Sequence, residues 1–424
     1  DNLKIRLSYG SLGNQQIGYY DFIQTITTKG SMSDYSFDGT VLGQHATVSD
    51  PVSGDQTWEK VVSKNLGLDL NMFNNRLSLT TDFYIRDTKG ILGKGKSLPS
   101  IYGASEPQMN ANNLRTKGYE LVLGWRDSFK LAGSTFSYGI TGTFSDYTAE
   151  YTKCDNPTGL IGDPYVGKKY GEIWGYKVDG LFRNDKEAAE YASRIDLSTV
   201  ASGYYTATGA YGKGVRGGDI KYLDLNGDNI VNGGKGTLDD PGDRRVIGNS
   251  SPRYQYGASL NFSWYGFDVS VFMQGIGRLD WYPGADNLRF WGPYCRPYAT
   301  FVPKNFMSQV WSEENPDAYF PRARAYTSLN SNSGTAYYTN DRYLQNLAYC
   351  RLKNLTIGYT IPRRLTSKVG IKECRIYFSG ENLATWSALK SDFLDPEQAA
   401  ADSDKKANVY PWCKTYSIGL NLTF

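Results

Sequence analysis

Histidine is almost missing from this chain: one residue, His45, in 424. Imidazole is the side chain most used for proton transfer near neutral pH. A His-dependent triad would have to run through that single residue, in what reads as a loop, so His45 reads as incidental. Cysteine is also sparse. Cys154, Cys295, Cys350, Cys374 and Cys413 are odd in number and widely spaced, with no C-x-x-C pair, which argues against a zinc site. No run of about 18 apolar residues occurs, so no transmembrane helix is expected. Crossing by strands stays open, because a spanning strand needs only about 9–11 residues, half of them polar. An excess of one charge is lacking too. Lys plus Arg total 46 and Asp plus Glu 43, a net +3, without the basic surplus that nucleic-acid binding leaves. A glycoside hydrolase needs two carboxylates facing across a cleft, and no pair stands out among the many here. No enzyme and no required cofactor are expected.

What is abundant is tyrosine. Its 34 copies outnumber the 18 Phe and 9 Trp together, and Gly reaches 46. Tyr and Trp rings suit a boundary that is dry on one side and wet on the other, and membrane barrels carry girdles of them at both interfaces. A secreted β-sandwich that binds sugars shows the same enrichment, so composition does not choose between the two.

Alternation does more. Ten segments carry apolar residues at every second position, the pattern of a strand with unlike faces. They lie at about 2–12, 58–73, 76–90, 114–127, 134–152, 252–265, 267–277, 343–361, 373–384 and the chain end. In the third, Leu77, Leu79, Phe83 and Ile85 alternate with Ser78, Thr80, Asp82 and Arg86. The connections alternate as well. Asn74-Asn75, a stretch around Asp127–Gly133, Tyr265-Gly266 and about ten residues from Pro362 are short; 13–57, 91–113, 153–251, 278–342 and 385–412 are long. An up-and-down outer-membrane barrel has this rhythm, with short periplasmic turns and long extracellular loops, and a sandwich has no reason for it. The last segment, Tyr416-Ser417-Ile418-Gly419-Leu420-Asn421-Leu422-Thr423-Phe424, would be an aggregation-prone edge in water. The opening stretch Leu3–Tyr9 already alternates, and the expectation is that the chain starts inside a larger protein.

Several stretches, in this order, resemble the SusC/RagA group of TonB-dependent outer-membrane transporters. They are Ser63-Lys64-Asn65-Leu66-Gly67-Leu68-Asp69-Leu70 with Arg76-Leu77-Ser78-Leu79-Thr80, Lys117-Gly118-Tyr119-Glu120-Leu121, Gly175-Tyr176-Lys177-Val178-Asp179-Gly180-Leu181-Phe182 and Gly218-Asp219-Ile220-Lys221-Tyr222. Later come Ile247-Gly248-Asn249-Ser250-Ser251-Pro252, Arg351-Leu352-Lys353-Asn354-Leu355, Gly380-Glu381-Asn382-Leu383 and Asp395-Pro396-Glu397. The resemblance implies an all-β fold: a transmembrane antiparallel up-and-down barrel of roughly 22 strands, of which this chain supplies the C-terminal ten, without signal, plug and earlier strands. It further implies outer-membrane localisation, a SusD-like lipoprotein as lid, energy from a TonB complex through the absent N-terminal region, and a nutrient cargo, mostly oligosaccharide and sometimes peptide. The remainder of the same barrel and outer-membrane lipid complete the expected partners; nucleic acid is not among them. A passive porin or adhesin-type barrel and a secreted glycan-binding protein are the competing readings.

Two loops carry candidate sites. In the 153–251 loop, Asp224, Asn226 and Asp228 place oxygens at the first, third and fifth positions of a turn, as a calcium loop begins, and Ile230 offers a carbonyl at the seventh. Lys235 stands where an acidic residue would close the site, so closure falls to Asp239, Asp240 or Asp243. A structural calcium ion and a metal-free Asx-rich turn are both open. In the 278–342 loop, Trp281, Tyr282, Phe290, Trp291, Tyr294 and Tyr298 interleave with Arg289 and Arg296. Such rings beside donors suit a sugar, which makes Trp281, Arg289, Phe290, Trp291 and Tyr294 candidate substrate contacts; packing within the loop or against a lid is the alternative. Asp185–Tyr191 predicts a short helix with an acid near its start.

Overall fold

The computed structural model describes residues 1–14, 23–30, 36–37, 40–41, 44–54, 56–94, 99–206, 214–295, 302, 304–324, 336–391, 394–401 and 410–424. Ten strands form one antiparallel sheet: β1 Asn2–Asn14, β2 Glu59–Met72, β3 Leu77–Lys94, β4 Gln108–Leu131, β5 Ser134–Lys153, β6 Arg253–Trp264, β7 Phe267–Arg278, β8 Tyr349–Thr360, β9 Glu373–Ser387 and β10 Thr415–Thr423. They pair in sequence order, each with the strand before and the strand after, so the sheet is up-and-down throughout. All ten expected segments are there. The eighth starts later than the pattern suggested, because Gln345–Asn346 pairs separately with Asp280–Trp281 above the wall. His45 lies in a short strand, Gln44–Val48, paired with Ile26–Gly30 inside the first long connection.

The cross-strand register turns sequence alternation into two unlike faces. Met72, Leu77, Trp125, Ile140, Leu260, Val271 and Leu355 stand directly opposite one another from β2 to β8, an apolar row across seven strands. One residue along, Asn71, Ser78, Gly124, Thr141 and Ser259 form a polar row pointing the other way. Among the described residues the apolar face has no cover: Leu66, Phe83, Leu123, Ile140, Phe262 and Ile357 are all exposed. A water-soluble protein does not leave so large a contiguous apolar face bare. Among the described residues, no helix is long and apolar enough to cross a membrane, which has no bearing on strands. β4 runs for 24 residues, well beyond the roughly 9–11 that a bilayer requires, so the wall projects past the membrane at the end that carries the long connections.

Turn chemistry fixes the other end. Ala132-Gly133 joins β4 to β5 with φ of 48° and 86°, and Tyr265-Gly266 joins β6 to β7 with 48° and 84°. Positive φ at both central residues gives the hairpin turn whose twist matches the strands. Adjacent hairpins are tied together: Trp264 Nε1 donates to the Leu131 carbonyl at 3.2 Å, and the Tyr265 hydroxyl donates to the Ala132 carbonyl.

On the polar face, arginines bridge strands two apart. Arg6 on β1 donates from Nε to Asp69 on β2 at 2.8 Å and reaches over Gly67 to Asp82 on β3, with Nη1–Oδ1 at 2.9 Å and Nη2–Oδ2 at 2.8 Å. Near the other edge, Arg375 on β9 crosses Gly358 on β8 to Asp268 on β7, at 2.9 and 2.5 Å. In each case the middle strand has a glycine because a side chain there would occupy the guanidinium's place. A Cβ on Gly67 would lie 2.6 Å from both Arg6 Cζ and Asp82 Oδ1. Gly67→Ala is therefore expected to open the Arg6–Asp82 link and cost about 1–3 kcal/mol, read as a lower urea midpoint for the complete protein folded in lipid vesicles. Gly142→Ala, with nothing within 4 Å of the added carbon, is expected to leave that midpoint unchanged.

Candidate functional site

Three of the five long connections share one core. Residues from 153–251, 278–347 and 394–401 pack into one hydrophobic core above the wall, containing Tyr176, Phe182, Leu197, Ile220, Tyr222, Trp291, Phe320 and Tyr343 among others. Short two-stranded ribbons frame it: Glu172–Tyr176 with Arg244–Asn249, and Val178–Leu181 with Ile220–Tyr222. The stretches 175–182 and 218–222, separate in sequence, are thus neighbours here. The expected helix spans Asp185–Ala192 and is capped at its start: Asn184 Oδ1 accepts from the Glu187 amide at 2.9 Å, and Glu187 Oε2 accepts from the amide of Arg183, just before the cap, at 2.7 Å. Burial alone would raise the Glu187 carboxyl, but the Arg183 amide and the Lys221 ammonium hold it below its usual range.

Two buried polar groups fasten the cap. Asp219 accepts from Arg324 through two bonds, Nε–Oδ1 at 2.9 Å and Nη2–Oδ2 at 2.5 Å, and from the Arg216 amide at 2.7 Å. Burial pushes the Asp219 carboxyl up to about 6 against the pull of Arg324. The Arg324 guanidinium lies 4.1 Å from the centroid of the Tyr204 ring. Asn340, fully buried, donates to the Tyr282 hydroxyl at 3.1 Å and the Tyr338 carbonyl at 2.9 Å, and accepts from the Tyr343 amide at 3.2 Å. Neither Arg324 nor Asn340 was among the sequence candidates, since one Arg or Asn in a long loop carries no local signal.

The aromatic candidates belong to this core. Trp281, Phe290, Trp291 and Tyr294 are each 5 % exposed or less, while Arg289 is at the surface. Phe290 and Trp291 meet edge to face at 4.8 Å, Trp291 meets Tyr343 at 5.0 Å, and the Tyr294 hydroxyl donates to the Pro321 carbonyl at 2.5 Å. These rings pack against one another inside the cap, the geometry of the packing reading. Arg296 and Tyr298 lie outside the described residues. An open recess of about 330 Å³ does occur nearby, lined by Trp174, Tyr176, Tyr338, Lys235 and Arg244 beside the Gly233–Gly236 turn.

The Asp-rich turn is ordered by its own amides. Asp224 accepts from Gly227 and Asn229 at 2.7 and 2.9 Å, Asn226 from Asp228 at 3.1 Å, and Asp228 from Ile230 at 2.8 Å. Closure comes from Asp243, fully buried, which accepts from the Leu225 and Asn232 amides at 2.7 and 2.9 Å. Asp240 instead accepts from the Lys235 amide at 3.2 Å, and Asp239 is exposed; neither joins Asp224. Among the described residues, no three His, Cys, Asp or Glu side chains are grouped to hold a metal ion, so the carboxylates in hand do not by themselves make a cage. None of the five cysteines is in a disulfide.

A second pair of separated stretches meets on the polar face of the wall. Arg351 on β8, 2 % exposed in its side chain, donates to Asp395 at 2.7 Å, Glu397 at 2.8 Å and Thr385 at 2.9 Å, and Lys353 Nζ reaches Glu397 at 2.7 Å. This pins the last long connection into the barrel's interior side.

Wall and cap together define a class of protein: a strip of up-and-down membrane β-barrel with a folded outer cap. Comparison with known proteins agrees. No family model matches the chain. It is 26% identical to TonB-dependent receptor P3 of Formosa agariphila over 99% of its length and 39% of that protein, and 27% identical to receptor P26 of the same organism over 100% and 40%. TonB-dependent receptor SusC of Bacteroides thetaiotaomicron is 22% identical over 100% of the chain and 38% of the receptor. Among solved structures, the RagAB peptide transporter covers the whole chain with a TM-score of 0.66 at 21% identity, using 41% of its own chain, a likeness of fold. The resemblance drawn from the sequence is thereby shown: over its full length the chain is a relative of TonB-dependent receptors of the SusC kind. It spans about two fifths of the length of these curated relatives.

The buried Asp219–Arg324 pair generates a prediction. Asp219→Ala strands a guanidinium in the cap core and is expected to destabilise the cap by about 3–5 kcal/mol, measured as faster proteolytic nicking within 153–251 of the folded barrel. Replacing both partners, Asp219→Leu with Arg324→Met, is expected to be much milder.

Proposed function

We propose that this chain forms part of the wall and outer cap of an energy-coupled importer in a bacterial outer membrane, carrying a nutrient inward with a TonB complex as the power source. The observation that supports it most is the sheet itself, apolar over one face and charged or polar over the other, with three of the five long connections packed into a single cap. The wall's first and last strands, β1 and β10, each pair on one edge only. Backbone groups left unpaired in hydrocarbon cost several kcal/mol each, so the wall is completed by further strands of the same barrel. Oligosaccharide is the cargo class we favour, with oligopeptide second. The recess at Trp174, Tyr338, Lys235 and Arg244 supplies ring faces and cations for contact, and a SusD-like lipoprotein closing over the cap fits the helix Asp185–Ala192 on its surface.

Deleting the gene is expected to abolish growth on the oligomeric nutrient while sparing growth on its monomer. Removing the TonB complex is expected to give the same phenotype. Uptake that persists without TonB would establish the passive-pore alternative. A cation at the 224–230 turn belongs to the same proposal as a stiffener only. Millimolar calcium, but not magnesium, is expected to protect this turn from proteolysis, and Asp228→Ala to remove the protection. Equal cleavage with and without calcium would leave the turn metal-free.

A further inference from the structure

The recess in the cap beside the Gly233–Gly236 turn is lined by the rings of Trp174, Tyr176 and Tyr338 and by the cations Lys235 and Arg244, with no Asp or Glu among the lining residues. At about 330 Å³, against about 30 Å³ for a water molecule, it has room for roughly a dozen heavy atoms, the size of one sugar unit. The two half-buried rings are fixed by their polar ends. Trp174 Nε1 donates to Glu172 at 2.7 Å, and the Tyr338 hydroxyl donates to the Thr199 carbonyl at 2.9 Å. Their carbon surfaces are what remains for an occupant. Glu172 is committed as well, since it also accepts from the Tyr165 hydroxyl.

Arg244 is the group left incomplete. Its guanidinium lies along the turn, where a Cβ on Gly233 would come within 3.1 Å of Cζ and one on Gly236 within 2.9 Å of Nη2. Nη2 donates to the Gly233 carbonyl at 2.7 Å, but Nε is buried with no hydrogen-bond partner. Neither Arg244 nor Lys235 has an ion pair among the described residues. Adjacent Arg245 shows the ordinary use of a guanidinium in such a turn, with Nη1 donating to the Gly242 and Arg244 carbonyls at 2.8 Å each. The acids of the same stretch are turned to other donors: Asp240 accepts from the Lys235 amide, and Asp243 from those of Leu225 and Asn232. An open donor on a half-buried charge is costly and calls for a partner. We propose that this recess is a subsite for one acidic sugar unit, with its carboxylate or sulfate ester against Arg244 and Lys235 and its ring over Trp174 and Tyr338. A planar guanidinium suits such two-oxygen groups. The inference rests on the importer reading and narrows its cargo to an acidic oligosaccharide.

The test is binding of the complete barrel protein, purified from outer membranes in mild detergent, to an array of paired probes. These are tetramers of galacturonate, glucuronate, mannuronate and guluronate, each beside its carboxyl-reduced form, and a sulfated galactose tetramer beside its desulfated form. Tetra-alanine serves as the peptide probe. At least one acidic tetramer is expected to bind about tenfold or more above its neutral counterpart, and the pair that shows the difference tells carboxylate from sulfate. Arg244→Gln is expected to weaken that binding about 10- to 100-fold. Lys235→Glu, a change at an exposed side chain, is expected to weaken it too. Lys130→Gln, at the short-connection end, is expected to have no effect. Heat-modifiable mobility on gels verifies that each variant is folded. No difference between acidic and neutral members, whether both bind or neither does, would overturn the subsite. So would an acidic preference that survives both the Arg244 and Lys235 variants, or binding of tetra-alanine above every glycan. Uptake of the bound glycan that persists without the TonB complex would instead overturn the importer reading and leave the subsite in place.

Discussion

Inside a bilayer no water is available to hydrogen-bond a peptide group, so every N–H and C=O of a spanning segment must find a partner in the protein. Much of this structure follows from that requirement. It forces the strands into an unbroken antiparallel ladder and makes each strand's neighbour in sequence its neighbour in space. It also leaves side chains to divide between two solvents. The apolar row from Met72 to Leu355 and the polar row from Asn71 to Ser259 are consequences of one ladder in fixed register, because a slip of one residue would exchange the faces.

The polar side of the ladder has its own economy. A guanidinium that spans three strands needs the middle strand to be thin, and Gly67 and Gly358 provide that under Arg6 and Arg375. These bridges hold neighbouring strands together on the face where there is no lipid to press them into place. Above the membrane the problem reverses. Water is available, and the long connections gain stability as a soluble domain does, by burying aromatic rings around a few satisfied polar groups. The chain thus has two structural regimes: a wall whose apolar atoms face outward, and a cap whose apolar atoms face inward. Tyrosine serves both, as a boundary ring on the wall and as a buried ring whose hydroxyl finds a carbonyl in the cap. Burial pushes the Tyr176 and Tyr319 phenols up to about 12, further from ionisation than an exposed tyrosine.

The strands were legible because period-two alternation is local and each element repeats it many times. The turns were legible for a similar reason: Asn74-Asn75 and Tyr265-Gly266 are short, and Asn and Gly tolerate positive φ. The candidate sites were less so. Phe290 and Trp291 look alike in sequence whether they face a ligand or a core, and their placement depends on Phe320 and Tyr343, dozens of residues away. Of the three acids offered for the Asp-rich turn, Asp243 is the one that takes the Leu225 and Asn232 amides, because the stretch from 233 to 242 folds back on itself; spacing alone leaves the three equivalent.

By itself, the sequence determined how many strands there are, which face of each meets the apolar medium, and which connections are short, since all three are written in nearest-neighbour periodicity. Tertiary structure alone decided that three of the loops form one cap, that Asp219 meets Arg324, and that Arg351 captures Asp395 and Glu397. Those contacts join residues some 40 to more than 100 positions apart. Their geometry exists only once the wall has set the heights and spacings from which the loops depart.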